Sequence, residues 1–88
     1  MSKRRLVFEE GALEDFKWWV TNDRRIALKI LELIEHSVKE PFSGPGKPEA
    51  LKHDLKGYWS RRINDEHRLV YQVKQDELIV IACRYHYK

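Results

Sequence analysis

YWSRRI at residues 58–63, HRLVYQV at residues 67–73 and LIVIACRYHY at residues 78–87 are three runs rich in β-branched and aromatic side chains. Such side chains fit the pleated, half-buried surface of a sheet, so each run reads as a strand. Asn64-Asp65-Glu66 and Lys74-Gln75-Asp76 supply polar turns between them. In the last run, period-two alternation puts Leu78, Val80, Ala82, Arg84 and His86 on one face. Ile79, Ile81, Cys83, Tyr85 and Tyr87 fall on the other. Its first half is apolar on both faces, the pattern of a central strand covered on both sides. Only its end turns polar, and an antiparallel hairpin brings Arg68, at the start of the preceding strand, to that end. Whether Arg68 and His86 face the same way depends on the turn. A two-residue loop pairs even with odd positions and separates them; a three-residue loop pairs even with even and unites them.

Upstream the period changes. Residues 10–20 place Leu13, Phe16 and Trp19 or Val20 three and four apart, a helical face. Thr21-Asn22-Asp23 interrupts it and offers caps for a second helix over residues 23–40. There Ile26, Ile30, Ile34 and Val38 form a ladder flanked by Leu31 and Leu33, and Pro41 ends it. So short a break makes the pair a helical hairpin. Leu6-Val7-Phe8, within residues 5–9, reads as a first strand. Residues 41–48 hold all three prolines and read as a loop. Residues 49–55 fit either a helical turn or irregular chain. The order β-α-α-β-β-β describes an α+β domain, a helical hairpin packed on an antiparallel-rich sheet. Residues 1–88 suffice for one domain with a thin core.

An apolar fraction of 42% with 35% charged residues fits a folded chain rather than a disordered one. No apolar run reaches the length of a membrane span, and no signal-type apolar region follows the basic start Met1-Ser2-Lys3-Arg4-Arg5. The expected location is the cytoplasm, with no membrane partner. A single cysteine, Cys83, excludes an internal disulfide and agrees with a reducing compartment. Its apolar strand marks Cys83 as a buried small residue rather than a nucleophile. His36, His53, His67 and His86 show no ligand spacing, so neither metal nor cofactor is expected. Gly46-Lys47 has no Ser or Thr after it and no strong strand before it, which argues against a nucleotide P-loop.

A net charge of +3 and a pI near 9.1 favour acidic partners. Lys52, His53, Lys56, Arg61, Arg62, Arg68, Arg84 and His86 interleave with Tyr58, Trp59, Tyr71, Tyr85 and Tyr87. Basic groups contact phosphates and rings stack on unpaired bases, so the mixture suits single-stranded RNA. A solvated sheet face with its aromatics in the core accounts for the composition equally well.

Four stretches carry a more specific likeness: Pro41-Phe42, Gly44 and Gly46-Lys47-Pro48-Glu49-Ala50-Leu51-Lys52-His53; Gly57-Tyr58-Trp59-Ser60-Arg61-Arg62-Ile63; Glu66-His67-Arg68-Leu69-Val70-Tyr71; and Ala82-Cys83-Arg84-Tyr85-His86-Tyr87. Together they resemble the YoeB (Txe) toxins of the RelE superfamily, over residues 6–87. The resemblance implies a RelE-like, microbial-ribonuclease-like fold and ribosome-dependent cleavage of messenger RNA in the A site. It also implies a YefM-type antitoxin, and a toxin homodimer is compatible with it. By the same likeness Glu49 is the general base, His86 the general acid, Arg68 the phosphate stabiliser and Tyr87 the substrate-orienting residue. Lys52 and Arg62 become RNA contacts. Arg61 and Arg62 alternate, so only one faces a given side; the resemblance selects Arg62 and leaves Arg61 a structural or antitoxin-facing role. Trp18, Trp19 and Trp59 read as core or dimer contacts. The chain departs from the family pattern in its longer basic start and in Lys88, which follows Tyr87.

These residue types suit RNA, which carries its own nucleophile. A carboxylate takes the 2′-hydroxyl proton, an arginine offsets charge on the phosphorane, and a histidine protonates the departing 5′-oxygen. Each acid–base group contributes on the order of 10²–10⁴-fold. Plainer readings stand beside these roles. Glu49 opens a surface turn, His86 is a solvated end, Arg68 pairs with Asp65 or Glu66, and Tyr87 closes a core edge. Two further readings of the whole are a non-catalytic RNA- or ribosome-binding module and a purely protein-binding partner of an acidic antitoxin. The antitoxin would lie over a cationic groove of Arg61, Arg62, Arg68 and Arg84 near Trp59 and Tyr85.

Overall fold

The computed structural model describes residues 4–85. Its elements are β1 (Arg5–Phe8), α1 (Glu10–Asn22), α2 (Arg24–Lys39), β2 (Glu49–Ala50), a 3₁₀ turn (His53–Leu55), β3 (Tyr58–Arg62), β4 (Arg68–Val73) and β5 (Glu77–Ala82). Asp23 alone separates the helices and serves both. Its N–H donates to the Trp19 carbonyl at 2.7 Å, and its carboxylate accepts from the Ile26 N–H at 3.4 Å. The second bond caps an amide that has no partner within the helix. At the other end the Glu40 N–H closes on the His36 carbonyl, and Pro41 disfavours helix at the residue before it.

The strands form one mixed sheet in the order β1-β5-β4-β3-β2, with β1 parallel to β5 and the other pairs antiparallel. Both helices pack against β5, and the hairpin carries the chain from one edge of the sheet, β1, to the other, β2. α2 buries Ala27, Ile30, Leu33, Ile34 and Ser37, with Ile26 and Val38 at the margin. Leu31 points outward. On α1 the buried positions are Ala12 and Trp19, the latter one of the two expected alternatives, while Leu13 and Val20 are 48% and 41% exposed. Ala12 takes the place expected of Leu13 because α1 runs close to the chain just after β5. The Ala12 carbonyl lies 3.7 Å from the Cys83 thiol, and the Trp19 indole N–H donates to the Cys83 carbonyl at 2.8 Å.

Two features of the sheet differ from the sequence reading. Residues 49–50 add a fifth strand within the segment that the sequence left open. The last strand ends at Ala82 rather than at Tyr87. The register also combines both turn alternatives. Lys74 and Glu77 close a two-residue turn, and Val73 pairs with Leu78, odd with even. A bulge then intervenes: Tyr71 pairs with Val80, but Val70 pairs with Ala82. Ile81 is the extra residue, and simple alternation along the last run stops there. Beyond the bulge even positions meet even ones, and the Arg68 N–H donates to the Tyr85 carbonyl at 3.1 Å. His86 and Tyr87 lie outside the described residues. No helix among the described residues is long and apolar enough to cross a membrane.

Candidate active site

Opposed residues of a sheet share a face, and the register assembles one row across three strands: Glu49 opposite Ser60, Ser60 opposite Val70, Val70 opposite Ala82. Two residues further along β3, on the same face, Arg62 stands opposite Arg68. This face is turned away from the helices. Lys47, Glu49, Ser60, Arg62 and Arg68 line a pit there of about 60 Å³. Three expected site residues, Glu49, Arg62 and Arg68, are thus brought together around one depression. Lys52 is not among the pit's lining. It lies exposed just before the 3₁₀ turn, beyond the end of β2.

Arg68 is half-buried and oriented by its own turn. Its Nη1 donates to the Asn64 carbonyl at 2.6 Å and the His67 carbonyl at 3.0 Å. Both of these bonds use one nitrogen of a planar fork whose geometry suits a bound oxyanion. Among the described residues Glu49 is held through its backbone alone, in a two-residue edge strand that follows the loop.

That loop is fixed by Arg61, the neighbour of Arg62 on the opposite face. Arg61 is fully buried. Its Nε donates to the Tyr71 hydroxyl (3.1 Å), Nη1 to the Pro45 carbonyl (2.8 Å), and Nη2 to the Glu40 and Ser43 carbonyls (2.6 and 2.8 Å). The Tyr71 hydroxyl donates in turn to the Pro41 carbonyl at 2.6 Å. Burial pushes the Tyr71 phenol above its usual range, with Arg61 acting against the shift. Gly46 completes the connection: its carbonyl accepts from the Arg62 N–H at 2.6 Å. It holds φ +84°, and a Cβ there would come within 3.0 Å of the Arg62 carbonyl.

The broad cationic groove expected from the sequence is therefore divided. Arg61 lies inside, under the loop. Arg84 stacks on the Trp18 ring of α1 at 3.7 Å and donates to the Tyr85 hydroxyl at 3.0 Å. Trp59 sits on the helix side of β3, against Phe42. Trp19 belongs to the core, whereas Trp18 is partly exposed.

Three residues matter here that the sequence reading passed over. Lys47 had been weighed only as part of a nucleotide loop. Ser60 is two positions from Arg62, so alternation alone would have placed it on the site face. His67 is buried, and its Nδ1 accepts the Tyr85 N–H at 2.6 Å. Cys83 is buried as expected, and burial, with the Asp15 carboxylate nearby, pushes its thiol up to about 12.

Comparison with known proteins fits this architecture. The family described as YoeB-like toxin of bacterial type II toxin–antitoxin system matches residues 8–87. Toxin YoeB of Escherichia coli K12 is 53% identical over 83 residues, covering 94% of this chain and 99% of that protein. Toxin RelK of Mycobacterium tuberculosis is 51% identical over 84 residues, covering 96% and 99%. Among solved structures, a YoeB/ParE toxin from Agrobacterium tumefaciens superposes with a TM-score of 0.90 at 46% identity, covering 94% of this chain and 99% of that one. A Staphylococcus aureus YoeB dimer gives 0.89 at 42% identity, covering 98% and 100%. The Escherichia coli YafQ structure, at 17% identity and a TM-score of 0.77, shares the fold. A family match over nearly the whole chain and relatives at half identity leave one conclusion: this chain belongs to the YoeB-like toxins of bacterial type II toxin–antitoxin systems.

Proposed function

We propose that the chain is an endoribonuclease that cuts messenger RNA in the ribosomal A site, by metal-free acid–base attack of the 2′-hydroxyl, and so arrests translation. The observation that carries this reading is the convergence of Glu49, Arg62 and Arg68 on one open sheet face, beside the point where the chain leaves Tyr85 toward His86. In the proposed step, the Glu49 carboxylate removes the 2′-hydroxyl proton as that oxygen attacks the adjacent phosphorus. Arg68, its Nη1 already held, offsets the charge gathering on the phosphoryl oxygens. His86 delivers a proton to the 5′-oxygen as the P–O bond breaks, leaving a cyclic phosphate and a free 5′-hydroxyl. Arg62 and Lys52 hold flanking phosphates, and Tyr87 orients the scissile nucleotide.

The 88 residues act as one catalytic domain in the bacterial cytoplasm, where the ribosome is. A YefM-type antitoxin restrains it, as complexes of the Staphylococcus aureus relative suggest, and two toxin chains assemble as in that relative's dimer. Primer extension on programmed ribosomes tests the reading. Glu49→Gln and His86→Gln should each slow cleavage on the order of 10²–10⁴-fold, without loss of fold. Full cleavage by both variants would overturn the mechanism. Binding of ribosomes without any cleavage product would instead support a non-catalytic module.

A further inference from the structure

His67 holds the chain at the rim of the site through more bonds than a core residue needs. Its N–H donates to the Asn64 side-chain oxygen at 2.8 Å, which shapes the turn before β4. Its carbonyl accepts from the Ile63 N–H at 3.0 Å and from Arg68 Nη1 at 3.0 Å. Its Nδ1 accepts the Tyr85 N–H at 2.6 Å. That last bond requires Nδ1 to carry no proton, so the neutral imidazole carries its hydrogen on Nε2. The ring is wedged edge-on against Trp19, centroids 4.8 Å apart, and lies 5.2 Å from the Tyr85 ring.

The residue it grips is the one in need of a grip. Tyr85 has φ +66°, the left-handed region that a bulky side chain occupies only when its surroundings hold it there. The surroundings come from consecutive residues: the imidazole of His67 takes the Tyr85 N–H, and the N–H of Arg68 donates to the Tyr85 carbonyl at 3.1 Å. Two positions earlier, Cys83 is fixed from α1. Its N–H donates to the Asp15 carboxylate at 3.0 Å, and its carbonyl accepts from Trp19. The backbone at Cys83 and Tyr85 is therefore held by the side chains of Asp15, Trp19 and His67.

We propose that His67 is a positioning residue: by accepting the Tyr85 N–H on Nδ1 it fixes the left-handed backbone of Tyr85, the residue directly before the proposed acid His86, against the start of β4 where Arg68 is held. An apolar residue would fill this buried place beside Trp19 at less desolvation cost; the acceptor is what the position uses. The inference rests on the nuclease reading above for its effect on rate, but its mechanical half does not.

The test compares His67→Leu, which removes the acceptor, with His67→Asn, whose side-chain oxygen stands where Nδ1 does. Amide hydrogen exchange at Tyr85 reads the mount without any RNA. Protection should be lost in the Leu variant and kept in the Asn variant. Cleavage on programmed ribosomes reads the consequence. His67→Leu should lower kcat on the order of 10²-fold with little change in KM, as expected for a misplaced group rather than a lost binding contact. His67→Asn should recover most of the rate. If the Leu variant does not fold, His67→Phe, which fills the place with a ring but offers no acceptor, replaces it with the same expectations. Retained Tyr85 protection without the acceptor overturns the proposal, as does lost protection with an unchanged kcat. Glu49→Gln run alongside separates the two ideas: a wild type that does not cleave sinks the nuclease reading, while Tyr85 exchange still decides for or against the mount.

Discussion

Adjacent residues with the same side chain have opposite fates here. Arg61 is sealed in the protein and Arg62 is open to solvent. Strand alternation requires that split; which arginine goes which way came from the family likeness, because the pattern of Tyr58 to Ile63 alone is nearly symmetrical. Cys83 needed no such help: its apolar neighbours marked it as buried, and it is. Its thiol is raised from an ordinary 9.0 to about 12, which has a stability consequence. Above pH 9 the unfolded chain gives up this proton while the folded chain keeps it. The stabilisation is thus fully present below pH 9 and is lost as pH rises toward 12, at about 1.4 kcal/mol per pH unit. The raised Tyr71 phenol acts in the same direction at still higher pH. Urea unfolding at pH 8 and pH 10 should therefore show a clear drop, and Cys83→Ala should flatten it. An identical drop in the variant would show that Cys83 is not its source. A maleimide should also leave the native thiol untouched at pH 8 and label it once the chain unfolds.

At the scale of elements, the loop of residues 41–48 is the least regular segment and the most firmly tied. Its prolines withhold N–H groups, so its carbonyls must find donors elsewhere, and Arg61 provides them for Pro45, Ser43 and Glu40. Replacing Arg61 by Met keeps the apolar stem but strands those carbonyls and the Tyr71 hydroxyl. A loss of about 3–5 kcal/mol is expected, and β2 with Glu49 should lose amide protection before the rest of the sheet. Uniform loss across the sheet would contradict the view that Arg61 serves the loop. Composition revealed the loop, the helices and the three C-terminal strands. β2 was illegible because two residues have no period to detect. The bulge at Ile81 was illegible for another reason: no Gly or Pro marks it, and its cause lies in contacts from α1 at Cys83, which local sequence does not express. The same tertiary demand put Ala12 rather than Leu13 in the core of α1 and decided for Trp19 over Val20.

Across the whole molecule, the sheet has two unlike faces. One is filled by the helical hairpin; the other gathers Lys47, Arg62 and Arg68 around a single carboxylate, Glu49. The helical hairpin packed on one side of the sheet sets this division. A basic face of this kind suits two anionic ligands, RNA phosphate and the acidic segment of an antitoxin, and one surface cannot hold both. Antitoxin binding and RNA cleavage should therefore exclude each other. Arg62→Ala and Arg68→Ala should weaken both, and both should weaken as ionic strength rises, since partly exposed charge pairs are screened. An antitoxin segment that adds apolar anchors to its carboxylates would gain affinity that is indifferent to salt. Its binding should consequently fall less steeply with salt than that of the RNA. Titrating a YefM-type partner into a ribosome cleavage assay at two salt concentrations measures both slopes. A saturated complex that still cleaves at the uninhibited rate would show that the antitoxin binds elsewhere, and that this face serves RNA alone.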